Sequence, residues 1–165
     1  MSALAPSRIS FHRPGMRLEP MRTTDVPEVM AIESKAYAAP WSSGNFIDSL
    51  AAGYLAFVLR DEDSAELLGY FLAMKGAEEM HLLNITVTAA RQSQGLARLM
   101  LDTLCRMCHE QGCPQLWLEV RFGNHRAREI YQRYGFAEVG LRKRYYPTPS
   151  GPREDAVLMS LAVPV

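Results

Sequence analysis

The sequence is poor in cysteine and carries no excess of charge. Its 165 residues include 3 cysteines, all within residues 105–113. An odd, clustered set cannot make a disulfide framework and fits a reducing compartment, so a cytoplasmic location is expected. Lys and Arg together number 18, as do Asp and Glu, which argues against a globally basic nucleic-acid-binding protein and against a disordered polyelectrolyte. No apolar run approaches the roughly 18–20 residues of a membrane span. Residues 1–15, with Pro6, Arg8, His12, Arg13 and Pro14, lack the continuous apolar stretch of a secretory signal and read as a flexible N-terminal tail before one domain over residues 16–165. The Gly-Lys-Ser/Thr phosphate loop and the Gly-x-Gly-x-x-Gly dinucleotide fingerprint are both missing.

Neutrality hides a split. Residues 1–90 hold 7 basic and 11 acidic side chains, whereas residues 91–165 hold 11 and 7, so an anion site is expected in the second half. Along the chain, residues 17–22 predict a strand. Asp25 as N-cap, Pro27 in the first turn and Glu28 as in a capping box predict a helix carrying Val29, Ile32 and Ala36. Pro40 breaks it, and Ser42 or Ser43 starts a second short helix through Leu50. Strands follow over 54–59, 67–74 and 80–87. Leu96, Met100, Leu104 and Met107 recur at helical spacing and predict the longest helix over 94–111, ended by Gly112 and Pro114. A strand over 116–121, a helix over 124–134 and strands over 136–141 and 156–161 complete a mixed α/β (α+β) domain of about seven strands and four helices.

The segment from Asn84 to Arg98 carries the first chemical signal. A β-branched strand runs into a short polar loop with Gly95 and then into the longest helix, so free backbone N–H groups converge at the positive end of the helix dipole. Such a turn binds phosphate, or else merely packs strand on helix. In the strand over 116–121, Leu116, Leu118 and Val120 share one face and Trp117, Glu119 and Arg121 the other, which points Glu119 away from the aliphatic side. Cys105-x-x-Cys108-His109 has the spacing of a haem attachment site but lies inside an amphipathic helix. Neither haem nor zinc is expected there, and no metal elsewhere.

Gln92-Ser93-Gln94-Gly95-Leu96-Ala97 resembles the Gln/Arg-x-x-Gly-x-Gly/Ala motif of the GCN5-related N-acetyltransferases (GNAT superfamily). Asn124, Ala127, Ile130, Tyr131, Gly135 and Phe136 stand in register with that family's second signature, Asn-x-x-Ala-x-x-Leu/Ile-Tyr-x-x-x-Gly-Phe. The stretches 116–121, Ala39-Pro40-Trp41-Ser42, 142–147 and 153–156 are similar to its RimI-type branch. That branch acetylates the N-terminal alanine of the eighteenth small-subunit ribosomal protein.

The resemblance implies the GNAT fold, a central and mostly antiparallel sheet flanked by helices, with acetyl-CoA as acetyl donor. It implies cofactor contacts from Ile85, Thr86, Val87, Ser93, Gln94, Gly95, Leu96, Ala97, Arg98 and Asn124. Glu119 would serve as general base and Tyr131 as general acid for direct attack by a protein N-terminus. Trp41, Tyr145 and Tyr146 would flank the acceptor, the last two from a Pro/Ser/Gly-rich connection. Ala97 stands where a second glycine is common, Ser93 where a basic residue is frequent, and Pro152 lengthens that connection. Asn124 would be an N-cap, a cofactor contact, or both. Acetylation of lysine or of small amines is the alternative within the enzymes. A non-catalytic acyl-CoA-binding module is the alternative outside them.

Overall fold

A computed structural model of the chain describes residues 13–164. Seven strands, β1 (Met16–Pro20), β2 (Leu55–Asp61), β3 (Leu67–Lys75), β4 (Glu79–Val87), β5 (Gln115–Arg121), β6 (Ala137–Tyr146) and β7 (Glu154–Ala162), form one sheet in the order β1-β2-β3-β4-β5-β7-β6. Every pair is antiparallel except β4 with β5. Four helices, α1 (Val26–Ala36), α2 (Ser43–Ala51), α3 (Leu96–Glu110) and α4 (His125–Tyr134), cover the sheet. The mixed class and the order of elements are those expected. Of the expected tail, residues 1–12 lie outside the described residues. Arg13 and Gly15 take part in a turn, where Met16 N–H donates to Arg13 O and Glu62 N–H to Gly15 O.

The strand period of two sorts side chains into two cores. In β2 and β3, Phe57, Leu59, Leu68, Phe71 and Ala73 face α3 and the stripe Leu96, Met100, Leu104 and Met107. Ala56, Val58, Leu67, Tyr70 and Leu72 face α1 and α2 through Val26, Val29 and Phe46. The central sheet is therefore buried on both faces.

One bulge positions the site. Leu72 pairs with Asn84 but Ala73 with Leu82, so Leu83 is an extra residue in β4. Before the bulge Met80 and Leu82 face the α3 side; after it Ile85 and Val87 do, and Asn84 and Thr86 turn toward α1. Pairing of β4 with β5 runs from Glu79↔Gln115 to Leu82↔Leu118 and stops at the same place. Beyond it the two parallel strands part and leave a gap in the sheet. On β3, Gly69 permits the close approach of β4 and α3, because a Cβ there would meet Thr86 O at 2.7 Å and Met100 Cε at 3.1 Å. Gly69→Ala should destabilise the fold by about 1–3 kcal/mol, as overpacking does, and lower the midpoint of thermal unfolding.

Two local expectations hold only in part. Asp25 ends a 3-10 turn (Thr23–Asp25) and stands at the N-cap position of α1 as expected, but its side chain makes no capping bond there. It and Glu28 are drawn instead to the buried Arg60 guanidinium, at 2.8 Å and 3.0 Å, because a charge removed from water needs carboxylates more than a helix end needs a cap. The strand expected over 136–141 continues as β6 to Tyr146. A shift in register between Arg142 and Tyr146, with Arg144 at φ 53°, lets Tyr146 pair with Glu154, so Tyr145 and Tyr146 are strand residues and not part of a loose connection.

Candidate active site

The gap between β4 and β5 opens into a cleft of about 770 Å³. Along its β4 wall, Tyr37 Oη donates to Ile85 O at 3.3 Å and Gln92 Nε2 to Val87 O at 3.4 Å. In a strand the N–H and C=O of one residue point the same way, so the N–H groups of Ile85 and Val87 also face the gap that β5 has left. These are donors held ready for a carbonyl or an amide chain.

At the far end stands the turn before α3. Gly95 caps the helix at φ 76°, and Ser93 lies at φ 63°, so two left-handed residues within three curl the backbone N–H groups of the first turn of α3 toward one point. Arg126 Nη2 donates to Ser93 Oγ at 3.3 Å and braces the turn from α4. Lys35, Arg91, Arg98, Arg126 and Arg133 line the cleft, a positive surround for a polyanion. Gly95→Ala should cost about 1 kcal/mol of stability through its backbone conformation and weaken the binding of a phosphate-bearing ligand, measurable by titration calorimetry.

The cofactor contacts suggested by resemblance fall largely together. Ile85, Thr86, Val87, Ser93, Gly95, Leu96, Ala97, Arg98 and Asn124 all line the cleft. Gln94 is not among the lining residues and uses its carbonyl to accept from Arg13 Nη1 at 3.0 Å. Asn124 is the N-cap of α4, its Oδ1 accepting from Ala127 N at 3.2 Å, and it also lines the cleft.

Tyr131 lines the cleft from α4, its ring packed edge-on against Phe136 at 5.8 Å. Burial pushes its phenol well above the usual 10.0, and the neighbouring Tyr37 and Tyr146 add to the shift, so the hydroxyl stays protonated. Glu119 stands on the face of β5 opposite Leu118 and Val120, with its side chain 8% exposed, and is not among the residues that line the cleft. It pairs with Arg142 Nε at 3.4 Å, and the Tyr145 hydroxyl bonds to it. Tyr146 lies within the field of Glu119, under the Arg121 guanidinium at 4.5 Å from its ring. Arg121 is in turn tied to Glu154, which also accepts from Gly123 N, so one carboxylate joins the β5–α4 turn to β7. Trp41 lies apart, in a smaller groove with Asn45, Asp48, Tyr54 and Leu83.

Sequence reasoning passed over Tyr37, Glu33 and Arg142. Tyr37 follows the last turn of α1 in no motif. A buried acid in an amphipathic helix, as Glu33 is at 1% exposure, is the one irregularity that could have flagged it. The cysteine cluster behaves as the helix pattern suggests. Cys108 and Cys113 are buried, burial pushes the Cys108 thiol up to about 12, and His109 Nδ1 lies 2.8 Å from Pro164 O. Among the described residues no three His, Cys, Asp or Glu side chains are placed to hold a metal, and no helix is long and apolar enough to cross a membrane.

The model of the acetyltransferase (GNAT) family matches residues 26–136. The [ribosomal protein bS18]-alanine N-acetyltransferase of Escherichia coli K12 is 37% identical over 143 residues, covering 87% of this chain and 95% of that protein. The crystal structure of the ribosomal-protein-S18-alanine N-acetyltransferase from Escherichia coli superposes with a TM-score of 0.81 at 35% identity, covering 91% of this chain and 95% of that one. Naa20 of Chaetomium thermophilum, solved with a bisubstrate analogue, shares the fold at a TM-score of 0.78 and 19% identity, over 89% of this chain and 86% of its own.

Proposed function

The chain belongs to the acetyltransferase (GNAT) family and is an N-acetyltransferase, and from that premise we propose that it acetylates the α-amine of a protein, the N-terminal alanine of ribosomal protein bS18, with acetyl-CoA as donor. The observation that carries this reading is the parted pair β4 and β5. Where they part, one cleft joins the turn before α3 and its arginines to the free edge of β4 at Ile85 to Val87 and to Tyr131.

The residues present suit acetyl-CoA. The turn at Ser93 to Ala97 and the surrounding arginines would take the phosphates, and Ile85 and Val87 would bond the chain that leads from them. When bound, acetyl-CoA supplies an activated acetyl group whose carbon takes the amine nitrogen as the bond to sulfur breaks. Glu119, directly or through a water, accepts the proton that the amine must lose. The backbone N–H groups of β4 polarise the carbonyl oxygen. Tyr131 gives its proton to the departing sulfur. An α-amine has a pKa of about 7.7–8.0, against about 10.4 for lysine, so Glu119 has less to do for an N-terminus than for a side chain.

Two measurements test this. Peptides differing only in their first residue, incubated with acetyl-CoA, should be acetylated fastest when alanine is first; equal rates for all first residues would overturn the alanine assignment. Because burial raises the Tyr131 phenol, the acid remains loaded through the range in which the amine becomes neutral. The pH profile of kcat/KM should therefore rise through about pH 8 and show no falling limb before about pH 10. A falling limb near pH 8 would remove Tyr131 as the acid.

A further inference from the structure

Glu33 on α1 is buried, and the mechanism above leaves it idle. Its carboxylate receives Tyr70 Oη at 2.5 Å, Asn84 Nδ2 at 3.1 and 3.3 Å and Trp41 N–H at 3.3 Å. Every one of these neighbours is a donor. No Lys, Arg or His pairs with Glu33 among the described residues. The chain of contacts then leads outward. Thr86 Oγ1 lies 2.8 Å from Asn84 Oδ1, and Tyr37 Oη lies 2.7 Å from Thr86 Oγ1 and lines the cleft.

Counting protons fixes the direction of each bond. Asn84 uses its amide hydrogens on Glu33, so its Oδ1 faces Thr86 and can only accept. Thr86 spends its single hydroxyl proton there. Tyr37 must therefore be the donor in the 2.7 Å bond to Thr86, sharing the proton weakly with Ile85 O at 3.3 Å. Burial raises the Tyr37 phenol and the field of Glu33 raises it further, so the hydroxyl keeps its proton. The whole file of hydrogen bonds thus runs inward to Glu33 and leaves the lone pairs of Tyr37 as its outer end. It is no proton wire, since the Asn84 amide cannot readily take a proton at one end and release another. What it supplies is a neutral oxygen that is held as an acceptor, with a buried carboxylate behind it.

We propose that Tyr37 accepts a hydrogen bond from the N–H of the incoming amine and orients its nitrogen in the cleft, and that Glu33, Asn84 and Thr86 are positioning residues that hold Tyr37 in this role. The inference rests on the reading of the cleft as an acetyl-transfer site for an α-amine. It adds that such a site selects amines with an N–H to spare, on the face opposite the cofactor's phosphates.

The test is steady-state kinetics with an alanine-first peptide, joined to direct measurement of acetyl-CoA binding. Tyr37→Phe keeps the ring and removes the oxygen. The acceptor KM should rise about tenfold, while kcat falls less than about threefold and acetyl-CoA affinity stays within about twofold. Thr86→Val frees the Tyr37 hydroxyl to turn and should raise the acceptor KM in the same direction. The double variant should be no worse than Tyr37→Phe alone, because both act through one oxygen. A hydroxyl that merely caps Ile85 O would instead lower thermal stability and acetyl-CoA affinity with the acceptor KM unmoved, and that result overturns the inference. So do effects that multiply in the double variant. If the wild-type protein turns over the peptide and Tyr37→Phe leaves its KM within twofold, this inference alone fails. If the wild type turns over no α-amine, the proposed function fails with it.

Discussion

Tyr131→Phe should lower kcat at least about a hundredfold while acetyl-CoA affinity remains within about twofold. The substitution deletes one oxygen. The ring contact with Phe136 at 5.8 Å is kept, as is the packing of α4 on the α3-side core, so the fold has little to lose. What disappears is a proton donor that burial holds in its neutral form. General acid catalysis is worth about 10²–10⁴ in rate, and a thiolate leaving group, already fairly stable, places the loss toward the lower end of that range. Steady-state kinetics and calorimetry on the same preparation separate the two quantities. Loss of cofactor binding in step with kcat would make Tyr131 a wall of the cleft and nothing more.

Glu119→Gln should lower kcat/KM for the peptide by about 10²–10³. Glutamine fills the same space and still bonds Tyr145, but it cannot take a proton. Its partner Arg142, at 55% exposure, is left facing water, so stability should change by less than about 1 kcal/mol. The deficit should shrink between pH 7 and pH 9, where solvent in place of Glu119 brings the amine to its neutral form. A deficit that is constant with pH would reduce Glu119 to a positioning role for Tyr145 and Tyr146.

Periodicity and turn chemistry made most of the fold legible. The stripe Leu96, Met100, Leu104 and Met107 announced α3, and the alternation of Leu116, Leu118 and Val120 put Glu119 on the far face of β5, where it stands. The turn before α3 was legible because its features are local: Gly95, the strand before it and the helix after it. The bulge at Leu83 was not legible. A strand with one extra residue reads in sequence like any other, and only the partner β3 reveals the shift that sends Asn84 and Thr86 toward α1. For the same reason the file from Glu33 to Tyr37 was invisible, since its members come from α1, the segment after it, β3 and β4, brought together by pairing that no short motif encodes. Asp25 marked the start of α1, but its side chain makes no cap bond because its partner, Arg60, lies 35 positions away in the chain. Tyr145 and Tyr146 misled because Pro147 begins a turn-rich stretch directly after them, while the pairing of Tyr146 with Glu154 extends the strand to that boundary.

The charge split finds its place in the cleft. Arg91, Arg98, Arg126 and Arg133 from the basic half line it. Glu33 from the acidic half lies behind Tyr37 through Asn84 and Thr86, and Glu119, an acid of the basic half, stands on the far face of β5. The proposed function has a polyanionic donor and a cationic amine meet at the gap between β4 and β5.

The most direct test of acetyl transfer to an α-amine is fragment mass spectrometry of a peptide that begins with alanine and carries one internal lysine, after incubation with acetyl-CoA and the protein. One acetyl group on the first residue, with the lysine unmodified, is the expected result. Acetyl on the lysine alone, or none in the presence of bound acetyl-CoA, would contradict it.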